Sequence, residues 1–136
     1  MYLIDTNIIS ELRKTKPHGA LSAWFASVKT EAVSIPAVVI GEIQAGVEKT
    51  RRQDLAKAQE IEQWLERLLL FYTVVPMDAP IFREWARLMA TESDVLMRDA
   101  MIAATARLQG LTVATRNIRD FASFDVATFN PFTYSA

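Results

Sequence analysis

The 136-residue sequence contains no cysteine and only one histidine. The absence of cysteine excludes disulfide bonds, zinc fingers and thiol catalysis, so any bound metal must be held by oxygen ligands. No apolar run approaches the roughly 20 residues that a membrane-spanning helix needs. The N-terminal segment MYLIDTN lacks the basic and long apolar regions of a secretory signal peptide. The sequence therefore predicts a cytoplasmic protein with no membrane partner.

The sequence also lacks an excess of either charge, since 15 Lys and Arg residues face 16 Asp and Glu residues. A protein with this balance can bind a polyanion only through local basic patches or through a metal ion. Apolar residues make up 51% and charged residues 23% of the chain, which is typical of a folded globular protein. The length suits one domain, and we expect residues 1–136 to form it.

Short apolar segments alternate with segments of helical periodicity along the whole chain. The predicted strands are 2–4, 32–35, 72–76, 111–115 and 126–129, and the predicted helices are 8–12, 20–28, 36–47, 55–70, 80–90 and 98–108. Strands joined through helices predict a mostly parallel sheet of about five strands, with helices on both faces, in an α/β/α sandwich. Ligands of such sheets bind outside the carboxyl ends of the strands.

Two acidic residues lie on apolar faces of predicted helices. Glu42 has Val38, Val39, Ala45 and Gly46 at three and four positions either way, and Asp99 is aligned with Ile102, Ala103 and Ala106. Burial of an isolated carboxylate costs several kcal/mol unless a cation or hydrogen-bond donors compensate. Both positions therefore indicate a site with a compensating partner.

Two further acids lie at the predicted carboxyl edge of the sheet. Asp5 ends the first strand, and Asp120 follows the fourth after a short polar segment. If the helices that carry Glu42 and Asp99 begin at this edge, the four carboxylates converge. Clustered carboxylates repel each other unless a divalent cation lies among them, and oxygen ligands suit Mg²⁺ or Mn²⁺.

Each acid also has a structural interpretation. Asp5 can cap the following helix, Asp99 can pair with Arg98 or Arg116, and Asp120 can be an ordinary loop residue. Glu42 is the hardest to explain in this way, because only an ion pair would account for a carboxylate in the middle of a helix on an apolar face.

Four segments in this order resemble the signature segments of PIN-domain toxins of the VapC and FitB type. They are LIDTNIISEL (3–12), VVIGEIQAGV (38–47), RDAMIAATA (98–106) and VATRNIRDF (113–121), and the tail DVATFNPF (125–132) resembles the FitB-like subgroup. The resemblance implies a PIN-like fold in which Asp5, Glu42 and Asp99 are the first three acids of the site. It leaves the fourth position open between Asn117 and Asp120.

The resemblance implies a specific activity, that of the toxin of a type II toxin-antitoxin pair. This toxin would be an endoribonuclease that uses Mg²⁺ or Mn²⁺, held chiefly by Asp5 and Asp99, to hydrolyse RNA in line and leave a 5′-phosphate and a 3′-hydroxyl. Glu42 and either Asp120 or Asn117 would complete the site. Thr6 and Thr115 match positions whose hydroxyls orient the acids or water.

The resemblance also implies partners. They are a cognate DNA-binding antitoxin of the VapB or FitA type, a second copy of the chain in a homodimer, and a larger hetero-oligomer on DNA. The apolar helix face around Trp64, Leu65, Leu68, Leu69 and Phe71 can serve a dimer or an antitoxin, or it can simply cover the sheet.

Positive charge beside an acidic site is needed to attract RNA. Arg116 and Arg119 follow the fourth strand and are the candidates for binding phosphates. A second cluster, Lys49, Arg51 and Arg52, is more simply explained as a solvated helix end. The three tryptophans, Trp24, Trp64 and Trp85, fall on apolar faces, which favours the core or an interface over base stacking.

Two other functions compete with the ribonuclease hypothesis. A phosphatase of the haloacid-dehalogenase type also begins with an apolar strand that ends in aspartate, but it needs a second acid where this chain has Asn7. A catalytically silent PIN-like module, regulating through a partner, is opposed by the acids at Asp5, Glu42 and Asp99 and favoured by Asn117.

Overall fold

The computed structural model describes residues 1–136. Its strands are β1 (Tyr2–Ile4), β2 (Val33–Pro36), β3 (Thr73–Val75), β4 (Thr112–Ala114) and β5 (Thr128–Phe129). Its α-helices are α1 (Thr6–Leu12), α2 (Gly19–Ser27), α3 (Ala37–Arg51), α4 (Leu55–Phe71), α5 (Ala79–Met89) and α6 (Met97–Gln109). All predicted elements are present. Short 3-10 helices, which the sequence analysis did not predict, span Thr30–Ala32, Asp94–Leu96, Ile118–Phe124 and Pro131–Thr133.

The five strands form one sheet in the order β3-β2-β1-β4-β5, and every pairing is parallel. The central residue Leu3 pairs with Ser34 on one side and Val113 on the other. Parallel crossovers are right-handed, so the outward connections through α1 to α4 cover one face and the return through α5 and α6 covers the other. The predicted α/β/α sandwich is confirmed.

The core lies on both faces of the sheet. The adjacent residues Leu3 and Ile4 are both buried, as expected of a central strand covered on both sides. Trp24 is buried and makes an edge-to-face contact with Tyr2 at 5.1 Å between ring centroids, which confirms its predicted core position. None of the helices combines the length and apolar character that crossing a membrane requires.

Helix ends follow simple local chemistry. Asp54 and Asp78 cap α4 and α5 by accepting hydrogen bonds from backbone N–H groups of the first turn. Helix α6 ends at Gly110, whose left-handed φ of 67° is accessible to glycine at little cost. Pro36 was expected in the first turn of α3, but it has extended backbone angles, ends β2 and occupies the cap position.

The strand order reverses direction between β1 and β4, since β2 and β3 lie to one side and β5 to the other. Connections leave the carboxyl ends of β1 and β4 in opposite directions, which opens a crevice at this edge. Helix α3 begins directly after β2 and α6 runs back towards the start of β4, so both helices begin at the same edge. The fold therefore brings the first turns of α1, α3 and α6 to one place.

Candidate active site

Asp5 is the most deeply buried of the acids, with 1% of its surface exposed. Its backbone N–H extends the sheet by donating to the carbonyl of Ala114 at 3.0 Å. Oδ1 accepts from the N–H of Thr6 at 2.7 Å, and Oδ2 accepts from the hydroxyl of Thr115 at 2.8 Å. Asp5 thus caps α1, as its structural interpretation suggested, and also lies at the carboxyl edge.

Glu42 lies in the second turn of α3, and its Oε1 accepts a 3.0 Å hydrogen bond from the hydroxyl of Thr6. Its side chain is 34% exposed, and Ala45 and Gly46 are exposed as well. The expectation that Glu42 lies on an apolar, buried helix face is therefore met only in part, because Val39 is buried and Glu42 is half-buried. Helix α3 completely buries only Val39 and Val47, and Glu42 lies beside them at the rim of a surface pocket.

Asp99 lies in the first turn of α6 with a side chain that is 15% exposed. Ile102, Ala103 and Ala106 continue its helix face and are all buried, as predicted. Burial raises the pKa of Asp99, and repulsion from Asp5 and Asp120 adds to this effect, while Arg98 opposes it without cancelling it. Asp5, Glu42 and Asp99 are called the inner acids below.

The guanidinium of Arg98 lies between the three inner acids. Nε donates to Oε1 of Glu42 at 2.5 Å, Nη1 donates to Oδ1 of Asp99 at 2.6 Å, and Nη2 donates to Oδ1 of Asp5. Nη2 also donates to the hydroxyl of Thr6 at 2.6 Å. Burial disfavours the charge of this group, but attraction by Asp5 and Glu42 outweighs it and raises the pKa of Arg98. One cation therefore pairs with all three inner acids.

Sequence reasoning considered Arg98 only as a partner of its neighbour Asp99, and it missed Asn7 as a site residue. The Asn7 amide nitrogen lies 3.3 Å from Oδ2 of Asp5 and 3.4 Å from the hydroxyl of Thr115, and it donates to both. The Asn7 carbonyl oxygen accepts from the N–H of Arg116 at 3.2 Å. The sequence feature that could have identified Asn7 as a site residue was its position two residues after Asp5. These bonds join the ends of β1 and β4.

The hydroxyl of Thr115 is completely buried, so in this conformation it contacts Asp5 rather than solvent. It also accepts a 3.0 Å hydrogen bond from the N–H of Asn117. Thr6 has a similar arrangement, because its hydroxyl donates to Glu42 and accepts from Arg98. Both threonines hold acidic side chains in fixed orientations.

Asn117 and Asp120 lie next to the inner acids, on the exposed side. Both are exposed, and the N–H of Asp120 donates to the carbonyl of Asn117 at 3.0 Å. Together with Arg116, Ile118 and Arg119 they line a surface pocket of about 390 Å³. The negative charge of Asp120 reaches Asp99 and contributes to its raised pKa.

The candidate phosphate-binding residues differ in their surroundings. Arg116 and Arg119 are exposed beside the crevice, and Arg116 stacks over the ring of Phe132 at 4.6 Å. Arg51 instead forms ion pairs with Glu48 at 3.0 Å and with Glu62 of α4 at 2.9 Å. Arg51 therefore joins α3 to α4.

The donor set fits a hard divalent cation in its chemistry, because it consists of carboxylate and hydroxyl oxygens gathered around one cationic group. The cation at this position is the Arg98 guanidinium. No three of the acids lie close enough together to hold one ion at the same time. A guanidinium has three nitrogens pointing in different directions, so acids that bind it lie further apart than acids around a small ion.

The fold and the site place this protein in a class of small domains. These domains have an all-parallel α/β/α architecture, and their acidic residues cluster in the crevice where the strand order reverses. Known proteins identify the family. The model of the PIN domain matches residues 2–127, so the chain belongs to the PIN-domain family, as its sequence segments predicted.

The similarity to individual PIN proteins extends over almost the whole chain. This chain is 32% identical to the toxin FitB of Neisseria gonorrhoeae, over 97% of this chain and 99% of that protein. It is also 32% identical to the VapC ribonuclease Y4jK of Sinorhizobium fredii, over 97% and 98% of the two chains. The predicted resemblance to VapC and FitB is confirmed.

Solved structures agree with this assignment. The FitAcB structure from Neisseria gonorrhoeae contains a chain that superimposes with a TM-score of 0.87 at 32% identity and covers 98% of this chain and 99% of its own. The DNA-bound VapBC structure from Salmonella typhimurium contains a chain with the same fold, at a TM-score of 0.77 and 20% identity, covering 96% and 97% of the two chains.

Proposed function

We propose that this protein is a metal-dependent endoribonuclease and the toxin of a type II toxin-antitoxin pair. The observation that carries the proposal is the convergence of Asp5, Glu42 and Asp99 on one cation position at the carboxyl edge of the sheet. The relatives named toxin FitB and VapC ribonuclease support the same activity. RNA is the substrate, and the cytoplasm is the compartment in which the protein would meet it.

In this proposal Asp5 and Asp99 are the principal ligands of Mg²⁺ or Mn²⁺. The bound ion supplies positive charge that stabilises the scissile phosphate and lowers the pKa of the attacking water. Asp5 is oriented for this task by the N–H of Thr6 and the hydroxyl of Thr115. Glu42 is held by the hydroxyl of Thr6 and is partly exposed, so it is placed to accept a proton from water in the crevice.

We assign the fourth acidic position to Asp120 rather than Asn117. Burial is the main cause of the raised pKa of Asp99, and the negative charge of Asp120 adds to it, which supports a place for Asp120 beside Asp99. The charge of Asp120 would add to the attraction of the site for a cation, which a neutral Asn117 cannot do. Arg116 and Arg119, on the exposed side of this position, would bind phosphates of the RNA.

The partner we propose is an antitoxin that places an apolar segment on α4. Here α1, α2 and α4 form an apolar groove of about 260 Å³, lined only by hydrophobic residues: Ile4, Ile9, Leu12, Phe25, Trp64, Leu68 and Tyr72. Leu69, Leu70 and Phe71 at the end of α4 are exposed. The similar chain in the structure of FitAB bound to a DNA fragment supports an antitoxin as a partner of this protein.

The apolar groove connects to the acidic crevice. Trp64 lines the groove and also a second pocket that contains Thr6 and Glu42. An antitoxin bound in the groove is therefore within reach of the catalytic acids. This supports a mode of inhibition in which the antitoxin covers the active site directly. The homodimer, and a larger complex on DNA formed through the antitoxin, are proposed from the relatives alone.

Of the two alternative functions, these observations oppose the phosphatase and leave the silent binding module as a candidate. The phosphatase hypothesis is set aside because the chain belongs to the PIN-domain family and Asn7 donates hydrogen bonds to Asp5 instead of supplying a second carboxylate. The silent binding module remains the second candidate, because the neutral Asn117 follows the Thr-Arg pair.

The deciding experiment compares RNA cleavage by the wild type and by Asp5→Asn in EDTA, Mg²⁺ and Mn²⁺, on a panel of transfer and single-stranded RNAs. Metal-dependent cleavage that falls at least about 100-fold in the variant is expected. Asp78→Asn is the matched control, because it makes the same change at the cap of α5. Cleavage that is equal in wild type and Asp5→Asn would contradict the proposal. No cleavage by metal-loaded protein free of antitoxin would favour the silent module.

A further inference from the structure

The position of Arg98 has a consequence for metal binding. Its three guanidinium nitrogens each contact a different inner acid, and Nη1 and Nη2 bind Oδ1 of Asp99 and Oδ1 of Asp5. These two aspartates are the principal metal ligands in the proposed function. A metal ion and the guanidinium therefore compete for the same two carboxylate groups.

We propose that Arg98 is an internal counter-ion that occupies the metal position in the metal-free protein and must leave Asp5 and Asp99 before the metal can bind. This inference rests on the proposed function. It makes Arg98 a built-in competitor that lowers the apparent affinity for metal.

The geometry opposes full metal coordination while the guanidinium is in place. Each inner acid contacts a different nitrogen of the guanidinium, and no three acids can hold one ion in this arrangement. A small divalent ion holds its oxygen ligands at about 2.0 to 2.2 Å, so the acids must close around the position that the guanidinium leaves. The inner acids and Arg98 together retain an excess of negative charge, which attracts a divalent ion to the occupied site.

Arg98 is able to move. Its side chain is 31% exposed, whereas that of Asp5 is 2% exposed, so the cation can reach solvent while the buried acid stays in place. Arg98 is in the first turn of α6, directly after the exposed Met97 and the short 3-10 helix Asp94–Leu96. The long flexible stem allows the charged group to leave without moving the helix.

A competing interpretation assigns Arg98 a purely structural task, in which it stabilises the acid cluster and remains in place when metal binds. The two interpretations differ in whether the guanidinium stays at the acids when metal binds. If Arg98 competes with the metal, its removal strengthens metal binding and bound metal displaces it in the wild type. If it supports the arrangement of the ligands, the guanidinium stays in place in the wild type, and its removal weakens metal binding or leaves it unchanged.

The experiment measures the Kd for Mn²⁺ by calorimetry and by the electron paramagnetic resonance signal of free Mn²⁺, at physiological ionic strength. We expect Arg98→Gln to bind Mn²⁺ about tenfold more tightly than wild type, the change expected if the guanidinium occupies the site about nine-tenths of the time. Arg119→Gln is the matched control, since it removes an exposed positive charge from the same edge and should change the Kd far less.

A wild-type measurement covers the case in which Arg98→Gln does not fold. The Nε–H resonance of Arg98 is followed by ¹⁵N NMR during titration with diamagnetic Mg²⁺. Displacement predicts a large shift of this resonance and faster exchange of its proton with water, saturating together with metal binding. A resonance that stays unchanged at saturation would overturn the inference.

The outcomes separate this inference from the proposed function. Equal or weaker Mn²⁺ binding by Arg98→Gln would overturn the role of Arg98 and leave the nuclease proposal standing. Absence of Mn²⁺ and Mg²⁺ binding in both proteins would overturn both.

Discussion

The hydroxyl of Thr115 donates a 2.8 Å hydrogen bond to Oδ2 of Asp5, across 110 residues of sequence. Both residues are buried, and each directly follows one of two neighbouring strands, β4 and β1. The bond fixes one carboxylate oxygen, so that the other, Oδ1, faces the cation position. The orientation of the most buried acid thus depends on a residue that is itself hidden from solvent.

Replacing Thr115 with valine removes this donor without changing the shape of the side chain. Because a buried charged acceptor loses a partner, we expect a loss of about 1 to 3 kcal/mol in the free energy of unfolding, measured by urea denaturation in EDTA. RNA cleavage should fall as well.

Two variants serve as controls for Thr115→Val. Thr115→Ser keeps the hydroxyl and should recover most of the stability. Thr105→Val makes the same change at a buried threonine whose hydroxyl donates only to the carbonyl of Met101, so it should cost less. Equal losses at positions 105 and 115 would show that the bond to Asp5 has no special weight.

The raised pKa of Asp99 predicts a pH-dependent stability difference in EDTA. Burial is the main cause, so the folded protein binds a proton at Asp99 more readily than the unfolded chain does. The ionised residue therefore destabilises the fold above its folded pKa, and this penalty disappears as pH falls through the folded pKa towards the ordinary aspartate value. Asp99→Asn should be more stable than wild type at neutral pH.

This advantage of Asp99→Asn should shrink on acidification, and thermal unfolding of both proteins at a series of pH values measures it. A difference that stays constant between neutral and acidic pH would contradict the assignment.

Asp120→Asn distinguishes the two candidates for the fourth acidic position. Because Asp120 contributes to the raised pKa of Asp99, the variant should lower that pKa, as measured by ¹³C NMR of the carboxyl group. Cleavage should fall about 10- to 100-fold. Asn117→Ala should reduce cleavage much less, and Asp125→Asn serves as an exposed aspartate away from the pocket. A greater loss in Asn117→Ala than in Asp120→Asn would reverse the assignment.

Phe71→Asp tests the exposed apolar end of α4, which adjoins the apolar groove, as part of the antitoxin site. Phe71 is 69% exposed, so the charge should not disturb folding, but it should weaken antitoxin binding by at least about tenfold because an interface aromatic is lost and a charge is desolvated. Binding is measured by titration with the purified antitoxin. Phe82→Asp introduces the same charge at an exposed phenylalanine of α5 and should bind normally. Equal weakening by both substitutions would place the antitoxin elsewhere.

The main architecture followed from sequence periodicity, because strands of a parallel sheet are apolar throughout and helices bury one face. All five strands and six α-helices were predicted. The 3-10 helix Ile118–Phe124 was missed, since such a short helix produces no sustained period. Its residues Phe121 and Phe124 nevertheless belong to the core.

The inner acids were also predicted, but their environment was only partly predicted. Glu42 was expected on a buried face because the residues three and four positions away are apolar. Two of these residues, Ala45 and Gly46, are exposed, so an apolar neighbour does not by itself indicate burial. The network of Arg98 could not be read from the sequence, because its partners Glu42 and Asp5 lie 56 and 93 residues away. Proximity of this kind is created only by the tertiary fold.

The long sequence separation between Asp5 and Thr115 also governs when the site can exist during protein synthesis. Helix α6, strand β4 and Thr115 are translated late, whereas Asp5 is among the first residues made. A nascent chain that has not reached residue 112 lacks strand β4, the donor to Asp5 and the exposed acid at position 120. The ribosome that makes this protein is consequently not exposed to a completed site until most of the chain has been translated.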